Sequence, residues 1–471
     1  MSSENPSDKR PARPLQKLPL RHDPALPFVF LAAGLTLVAV MSRFDERAGA
    51  RQAWGDSVIV RGDAAAEPAA AGQGYPVRVR TLSEENYPQF AAFMREVEKT
   101  PQGTELAVRL RDSWCERAAY LSVPREMLGA LLAEGRLPES GEAEALAGDL
   151  ARLDSFELDG VTFRVVGRLQ RGIAALSSCY VVREDDGLFS YFTEQTGAVT
   201  GLLFPKYDPE PAPFAEPAGV RDQEPPRYVA GMARTPPAVS WGTVLGLLLA
   251  VVGGSTAQTR FLLWLRGRPS GVLGPALDEM ALRPKLIAGI HGVLFGLFFA
   301  FMALAVAFPA YHACVVQLVA GEFTEGRLGY IGEAYASKNI VRAACATFFH
   351  NFAIATVSFS VLPSLIIPFA GLLKNALSFA LVGFAMAPNW AGSISHLVYH
   401  SITLIVELEA YVLAAFVISA LPVRIYEGLV LDRFAREWYK GLIVVGSGTL
   451  LAGLILAAAA SYEAITIILL R

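Results

Sequence analysis

Long apolar runs, separated by short charged segments, fill the second half of the chain, and one more apolar run lies near its start. A helix needs roughly 20 apolar residues to cross a hydrocarbon core about 30 Å thick. The pattern therefore predicts about seven membrane spans, at 27–42, Trp241–Leu265, Leu286–Phe308, Ala343–Phe369, Asn375–Ala387, Leu397–Leu421 and Leu442–Leu469. The run Asn375–Ala387 is short, so it either re-enters the membrane or depends on its neighbours.

The amino-terminal region has two interpretations. Residues 1–26 place five basic residues among prolines and serines, which is typical of a cytoplasmic tail. The apolar run at 27–42 resembles a signal peptide with a loose cleavage site at Ala48–Ala50, but its basic lead is long for one. We favour an uncleaved first anchor, and both interpretations place the following residues outside.

Basic residues in the loops support an amino terminus in the cytoplasm. The loop between the second and third spans, the turn at Lys374 and the loop Val423–Lys440 all carry them, and all three fall inside on this topology. Residues 43–240 and the loop Pro309–Ile340 then lie outside. The predicted location is the bacterial inner (cytoplasmic) membrane, with several passes.

Residues 43–204 have the composition of a soluble domain. Short alternating runs predict strands at 76–80, 106–110, 161–166 and 179–182, and the segments Glu84–Lys99 and Pro124–Glu134 are predicted as helices. Residues 205–240 are rich in proline and form a predicted tether. The predicted fold class is a polytopic α-helical membrane protein with an inserted α+β extracytoplasmic domain.

Composition narrows the function. Hydrophobic residues make up 53% of the chain and charged residues 18%, and the net charge is only -3. The chain has no basic tract with interleaved aromatic residues, so the sequence does not favour nucleic acid as a partner. The sequence contains neither a nucleotide-binding Gly-x-x-x-x-Gly-Lys-Ser/Thr loop nor a Gly-x-Ser-x-Gly elbow, so we expect no cofactor and no enzyme activity.

Four cysteines form two potential pairs, Cys115 with Cys179 and Cys314 with Cys345. Neither pair has the spacing of a zinc site. Each is a disulfide if its compartment is oxidising and a pair of free thiols otherwise.

A polar stripe crosses the predicted span Leu397–Leu421. At about 100° per residue, His396, His400, Thr403 and Glu407 lie on one helical face, whereas Glu409 points the other way. Ionisable groups at membrane depth normally face a protein interior or a watery cavity. All five residues, together with Asn351 and Asn375, make up the predicted intramembrane polar cluster.

The histidine spacing allows a metal site but does not favour one. His396 and His400 are four residues apart, as two helical ligands would be, and Glu407 or His350 could add a third. Leu397 follows the first histidine, where a zinc-protease helix carries a glutamate. We favour a buried hydrogen-bonded cluster with no metal; a substrate-lining or proton-coupled role is the other alternative.

Small residues predict close helix packing. Gly292 and Gly296 form a Gly-x-x-x-Gly pair, and Gly446, Gly448 and Gly453 form a second small face. Both faces are assigned to packing.

The loop Val423–Lys440 mixes aromatic and charged residues at helical spacing. This pattern predicts an interfacial helix that couples the membrane domain to a partner. The predicted coupling residues are Arg424, Arg433, Arg436, Trp438 and Lys440.

About forty residues carry a first family resemblance. They are Leu128–Pro138, Glu144–Gly148 and Phe156–Gly167, and the last stretch ends in Val165-Val166-Gly167. This order resembles the periplasmic domain of macrolide-exporter-type (MacB-like) ABC permeases, with its helix, Glu-x-x-x-Gly turn and Val-Val-Gly hairpin. One span before the domain also fits that family, but its permeases have three spans after the domain, whereas six are predicted here.

A second resemblance covers residues 347–420. Phe349-His350-Asn351, Lys374-Asn375 and Glu407-Leu408-Glu409-Ala410 are similar to the pattern of the stage II sporulation protein M (SpoIIM-like) family of membrane proteins. The resemblance implies a polar core of Asn351, Asn375 and Glu407. The family's His-Gly pair is replaced by Thr403, with His400 one turn earlier.

Together the resemblances imply a non-enzymatic, permease-like subunit that works with a separate ABC ATPase in transport or envelope processes. The alternative is a scaffold that organises a peptidoglycan or envelope-remodelling complex; a metal-dependent intramembrane hydrolase is a third interpretation. The expected partners are the ATPase and membrane lipids, and analogy to permeases suggests a homodimer.

Overall fold

The computed structural model of the protein describes residues 24–50, 58–61, 75–82, 86–99, 104, 117–121, 125–139, 141–158, 160–170, 173, 176–183, 199–204, 228–230, 235–266, 271–324, 326–389 and 393–469. Some of these, among them Cys314 and His396, are described by their backbone alone. Residues 1–23 of the predicted tail at 1–26, most of the predicted tether at 205–240, and Cys115 lie outside the described residues. Cys345 is an exposed free cysteine.

Helices dominate the described structure. In chain order they are α1 (Leu26–Ala50), α2 (Pro88–Val97), α3 (Arg125–Leu131), α4 (Pro237–Leu265), α5 (Gly274–Leu282), α6 (Pro284–Ala307), α7 (Pro309–Thr324), α8 (Gly329–Ala336), α9 (Ile340–Phe348), a π-helical segment (Phe349–Val361), α10 (Leu362–Ile366), α11 (Ala370–Ala385), α12 (Ser393–Val430) and α13 (Phe434–Leu469).

Six runs among the described residues are long and apolar enough to cross a membrane. They are Leu26–Asp45, Pro237–Leu265, Pro284–Ala307, Ile340–Ile366, Leu397–Val430 and Phe434–Leu469. The chain is therefore a polytopic helical membrane protein. The remaining predicted span, Asn375–Ala387, corresponds to α11, which has only 16 residues.

The short helix α11 has one exposed apolar face and one face that is buried in the helix bundle. Leu373, Leu377 and Leu381 recur every four residues and are exposed, whereas Asn375 and Phe379 recur at the same interval on the buried side. Residues four apart lie on one helical face. This pattern directs Asn375 into the bundle.

The first span is built into the bundle. A Cβ atom at Gly34 of α1 would overlap the backbone of Gly246 and Ala250 in α4, and one at Gly253 of α4 would overlap the backbone of Leu31. Glycine at these positions lets the two helix backbones approach closely. α1 therefore packs tightly against α4 along its length.

α12 is the central helix of the bundle. Residues 412–421 are all buried, as in a helix surrounded by others. α13 returns alongside it, and Gly448 provides room for the Val417 side chain, while Gly453 provides room for Phe352. The packing role predicted for Gly448 and Gly453 is confirmed.

The predicted interfacial helix over Val423–Lys440 is wrong. α12 continues without interruption to Val430 and α13 begins at Phe434, so only a tight turn separates them. Asp432 adopts the left-handed conformation with φ 51°, and the N–H of Arg433 donates to the carbonyl of Gly428 at 2.7 Å. The helical spacing in this segment reflects the two ends of a continuous helical hairpin.

The packing role predicted for Gly292 and Gly296 is also wrong. A Cβ atom at either glycine, or at Gly446, would meet nothing within 4 Å. Gly292 and Gly296 line an open, largely apolar groove of about 750 Å³ between α1, α4 and α6. Gly-x-x-x-Gly spacing creates a smooth helical face, but it does not determine whether a neighbour fills it.

A mixed sheet follows the first span. Its strands are β1 (Val58–Arg61), β2 (Tyr75–Thr81), β3 (Arg117–Leu121), β4 (Leu132–Gly135), β5 (Glu144–Ala147), β6 (Ser155–Leu158), β7 (Val161–Leu169), β8 (Cys179–Arg183), β9 (Val199–Phe204) and β10 (Tyr228–Ala230). The order is β10-β1-β9-β2-β3-β8-β5-β7-β4, with β6 paired to β7. β3–β8 and β5–β7 are parallel pairs, and the other pairs are antiparallel.

Alternating residues give the sheet two buried faces. Val77, Leu121 and Val181 belong to one apolar cluster, whereas Phe163 and Tyr180 belong to the other. Successive strand residues point to opposite faces, so a sheet with two buried faces needs apolar residues on both. The predicted strands at 76–80, 161–166 and 179–182 are confirmed, and the strand predicted at 106–110 lies outside the described residues.

The region of the MacB-like resemblance contains a buried carboxylate. Glu144, at the start of β5, accepts hydrogen bonds from Arg136 at 2.5 Å and from Arg164 at 2.6 Å. Its side chain is 3% exposed. The Arg136 hydrogen bond, supported by Arg164, lowers the pKa of the Glu144 carboxyl to about 2. This residue ties β4, β5 and β7 together.

Residues just after α6 and α11 contact Arg152 of the sheet domain and Thr235 before α4. The N–H of Thr235 donates to the carbonyl of Asn389 at 2.8 Å, and the Arg152 guanidinium lies 5.6 Å from the centre of the Phe308 ring. Asn389 in turn donates to His312 at 3.0 Å. The predicted loop Pro309–Ile340 is largely helical, as α7 and α8.

Candidate functional site

A π-helical segment, Phe349–Val361, forms the middle of the fourth long span. Hydroxyl groups two residues apart reach the carbonyls five positions back: Thr356 to Asn351 at 2.7 Å, and Ser358 to Ala353 at 2.8 Å. Such wide turns are rare and frequently occur at functional sites. Here the widened turns bring the Asn351 side chain and the Ala355 carbonyl to a polar cavity.

This polar cavity lies between the π-helical segment, α11, α12 and α13. It has a volume of about 450 Å³. Small-molecule sites in proteins range from about 300 to 1,000 Å³. Its polar lining comprises His350, Asn351, Lys374, Asn375, Ser378, His400, Thr403, Glu407, Tyr411 and Glu463.

Glu407 lies at the centre of the polar lining. Its Oε1 accepts hydrogen bonds from Asn351 Nδ2 at 3.0 Å and from the Tyr411 hydroxyl at 3.2 Å. Tyr411 is one turn further along α12, so it supports Glu407 from the same helix. The carboxylate is thus held by the π-helical segment and by its own helix.

Lys374 enters the cavity from the first turns of α11. Its ammonium donates to the Ala355 carbonyl at 3.2 Å and lies 3.5 Å from Asn375 Oδ1. It also lies 5.7 Å from the centre of the Tyr411 ring, a cation–π geometry. Lys374, which the sequence analysis placed in a cytoplasmic turn, therefore lines the cavity instead.

Two buried polar groups in the cavity have no hydrogen-bond partner. Asn375 is 1% exposed and Thr403 is 4% exposed, and neither Asn375 Nδ2 nor Thr403 Oγ1 contacts a donor or acceptor in the described part of the chain. Ser360 donates to the other end of the Asn375 amide at 3.1 Å. A buried unpaired polar group costs about 1–3 kcal/mol, so a ligand or water that pairs with it is strongly favoured.

The other predicted cluster residues separate into three groups. His400 lines the cavity, and the His396 side chain lies outside the described residues. Glu409 points away and pairs with His291 of α6 at 3.0 Å, so its place in the cluster is corrected. His350, which was considered only as a third metal ligand and not as a member of the cluster, hydrogen-bonds the Tyr330 hydroxyl at 2.9 Å.

Glu463 and Tyr411 were missed by sequence reasoning. Glu463 is the only charged residue between Leu442 and Leu469, in the apolar part of the last span. An isolated charge inside a span is itself a signal for a functional cavity. Tyr411, four residues after Glu407, could have been found from helical spacing.

A second cluster of charges lies at the other end of α12. Glu279 of α5 is 0% exposed and pairs with Arg283 at 2.6 Å and with Arg424. Arg424 also pairs with Glu437 of α13 at 2.8 Å, and Lys440 bonds Glu437 at 3.2 Å. This network joins α5 to the α12–α13 hairpin.

The tip of the α12–α13 hairpin is exposed. Arg433, Arg436 and Trp438 lie on its surface, together with the exposed aromatic residues Tyr426 and Tyr439. The predicted coupling residues therefore fall into two places: Arg424 and Lys440 belong to the charge network, and the remaining three belong to the exposed tip.

No group of three His, Cys, Asp or Glu side chains within the described ranges is arranged to hold a metal ion. The cavity instead combines one ammonium, two carboxylates, two imidazoles and neutral hydrogen-bonding groups.

Apolar helices that enclose a polar cavity, with a sheet inserted after the first span, define a polytopic helical membrane protein. Comparison of the chain with protein-family models, curated proteins and solved structures finds no significant match in any of the three. The SpoIIM-like and MacB-like resemblances therefore stay predictions.

Proposed function

We propose that this protein is a permease-like subunit of the bacterial inner membrane that moves a polar solute and works with a separate ABC ATPase. The polar cavity is the observation that supports this proposal. Charged groups at membrane depth are costly and mark substrate or ion pathways in membrane proteins. Lys374, Glu407 and Glu463 converge on one cavity from three helices, an arrangement that helix packing alone does not require.

The hairpin tip is the proposed contact for the ATPase. Its exposed arginines, Arg433 and Arg436, and its exposed Trp438 combine the residue types that dominate protein interfaces. The charge network of Glu279, Arg424 and Glu437 would transmit movement of the tip to α5 and α12, since these charges hold the helices as one unit.

The proposed topology places the hairpin tip in the cytoplasm and residues 43–240 outside. The positive charges at the tip and beside α5 support this orientation. Tight packing of α1 against α4 supports an uncleaved first span, because α4 would otherwise expose the glycine-lined surface at Gly246 and Gly253. The sheet would then transmit motion or gate the substrate outside the membrane.

Purification of the chain from bacterial membranes together with its ATPase tests this proposal. We expect a nucleotide-hydrolysing subunit to co-purify and its ATP hydrolysis to rise in the presence of the chain. Charge reversal of Arg433→Glu with Arg436→Glu should abolish this stimulation, whereas Arg342→Glu, at the exposed outer start of α9, should leave it intact. Capture of cell-wall hydrolases with no ATPase would support the scaffold function instead.

A further inference from the structure

The polar cavity has donors on one wall and carboxylates on the others. Lys374 and Asn375, adjacent on α11, supply an ammonium and an unpaired amide N–H group. Glu407 on α12 and Glu463 on α13 supply the carboxylates. No ion pair joins Lys374 to either carboxylate among the described contacts, and the Tyr411 ring lies beside the ammonium.

Each wall keeps hydrogen-bonding capacity for a ligand. The Asn375 amide has its oxygen satisfied by Ser360 but its Nδ2 unpaired, although the residue is 1% exposed. Glu407 uses only Oε1 for its two described hydrogen bonds. Thr403, 4% exposed, has an unpaired hydroxyl that can donate or accept.

We propose that the cavity binds a small zwitterion of the amino-acid type, with its carboxylate at Lys374 and Asn375 and its ammonium at Glu407 and Glu463. This inference names the substrate class of the proposed permease site, and it therefore rests on the proposed function.

Ligands with a single charge satisfy the cavity less well. A simple cation would pair with Glu407 and Glu463 but would leave the Asn375 amide unpaired and face the Lys374 ammonium. A simple anion would pair with Lys374 but would face two carboxylates across a cavity of about 450 Å³. A zwitterion pairs with the donors on one wall and with the carboxylates on the other. The cost of leaving either set of groups unpaired makes the cavity selective for zwitterions over ligands with a single charge.

The neutral groups support the same orientation. Thr403 lies one turn before Glu407 on α12, and His400 lies one turn before Thr403, so both line the cavity beside the proposed ammonium position. Asn351 and Tyr411 fix the Glu407 carboxylate in place before a ligand arrives. Such preorganisation reduces the cost of binding.

Thermal unfolding of the full-length purified protein, without any ATPase, tests the inference. The probes are the twenty protein amino acids, each at 10 mM, and ethylamine and propionate as the separate cationic and anionic halves of alanine. We expect at least one amino acid to raise the unfolding midpoint by about 2 °C or more, and neither half to do so.

Variants then locate the binding site. Lys374→Met and Glu407→Gln should each weaken amino-acid affinity at least about tenfold, because each removes one charged partner. Glu409→Gln is the matched control, two residues away on the opposite face, and should retain wild-type affinity. Titration of the midpoint shift gives the affinity of every variant that remains folded.

Three outcomes would overturn the inference: no amino acid stabilises the protein, ethylamine stabilises it as well as the amino acids do, or Glu409→Gln weakens affinity as much as Glu407→Gln does. Loss of ATPase stimulation alone would overturn only the proposed partnership, since the binding measurement contains no ATPase.

Discussion

Asn351 Nδ2 lies 3.0 Å from Glu407 Oε1, although the two residues are 56 positions apart and belong to different spans. The SpoIIM-like resemblance selected both residues for a shared polar core, and the structure brings them into contact at the polar cavity. Asn375 lines the same cavity but bonds Ser360 rather than Glu407. The polar core is thus one cavity with two separate hydrogen-bonded groups.

Replacing Glu407 tests this contact. Glu407→Leu should keep the membrane topology but lower the free energy of unfolding by about 1–3 kcal/mol, because Asn351 and Tyr411 both lose their acceptor. Reporter fusions at the loops measure the topology, and thermal unfolding of the purified protein measures the stability. His396→Leu should change both stability and function much less. If His396→Leu abolishes function while Glu407→Leu has no effect, the role assigned to Glu407 is incorrect.

Removing one member of the buried charge network should be costly. Arg424→Leu leaves the fully buried Glu279 with Arg283 as its only described ionic partner, and breaking a buried pair typically costs about 3–5 kcal/mol. Denaturant unfolding of the purified protein measures the loss. The matched control is Arg266→Leu, which breaks a more exposed pair with Asp278 and should cost about 1 kcal/mol or less. Equal losses in the two variants would show that the network is not a stabilising unit.

Hydropathy was enough to predict the six long apolar helices, because every long apolar run must satisfy its backbone within a helix. It could not predict the end of α12, since the aromatic and charged residues near Tyr426 have the same helical spacing in a long helix as in a separate interfacial one. The turn at Asp432 decides between these, and its left-handed backbone has no strong sequence signal.

The cavity was predicted only in part, because spacing along one helix does not show what lies across from it. The helical face of His400, Thr403 and Glu407 was visible in the sequence. Lys374 was assigned to a turn because basic residues near span ends usually mark the cytoplasmic side. The π-helical segment was not predicted. Its hydroxyls reach carbonyls five residues back only after the helix has widened, so their positions in the sequence do not reveal the widening.

The sheet domain should lose stability in acid. The folded-state pKa of Glu144 is lowered to about 2, from an ordinary value of 4.5, by Arg136 and Arg164. The stabilisation is therefore fully present above the ordinary pKa and is lost as the pH falls from about 4.5 towards 2. Tryptophan fluorescence or circular dichroism of the full chain across this range measures the loss. Glu144→Gln should be less stable at neutral pH and should show a smaller acid dependence; an unchanged acid profile would contradict the assignment.

Two glycine substitutions distinguish packing from open space. Gly34→Leu should destabilise the protein by at least about 2 kcal/mol or detach α1, because the new side chain would overlap the α4 backbone at Gly246 and Ala250, which cannot move aside cheaply. Gly292→Leu should be tolerated within about 1 kcal/mol, because nothing lies within 4 Å of its Cβ position and the groove beside it is apolar. Thermal unfolding of both variants measures the difference. Both glycines lie in apolar spans and receive the same side chain, so the two variants are matched. Equal destabilisation would mean either that α1 does not pack against α4 as in the structure, or that another molecule fills the groove in the membrane.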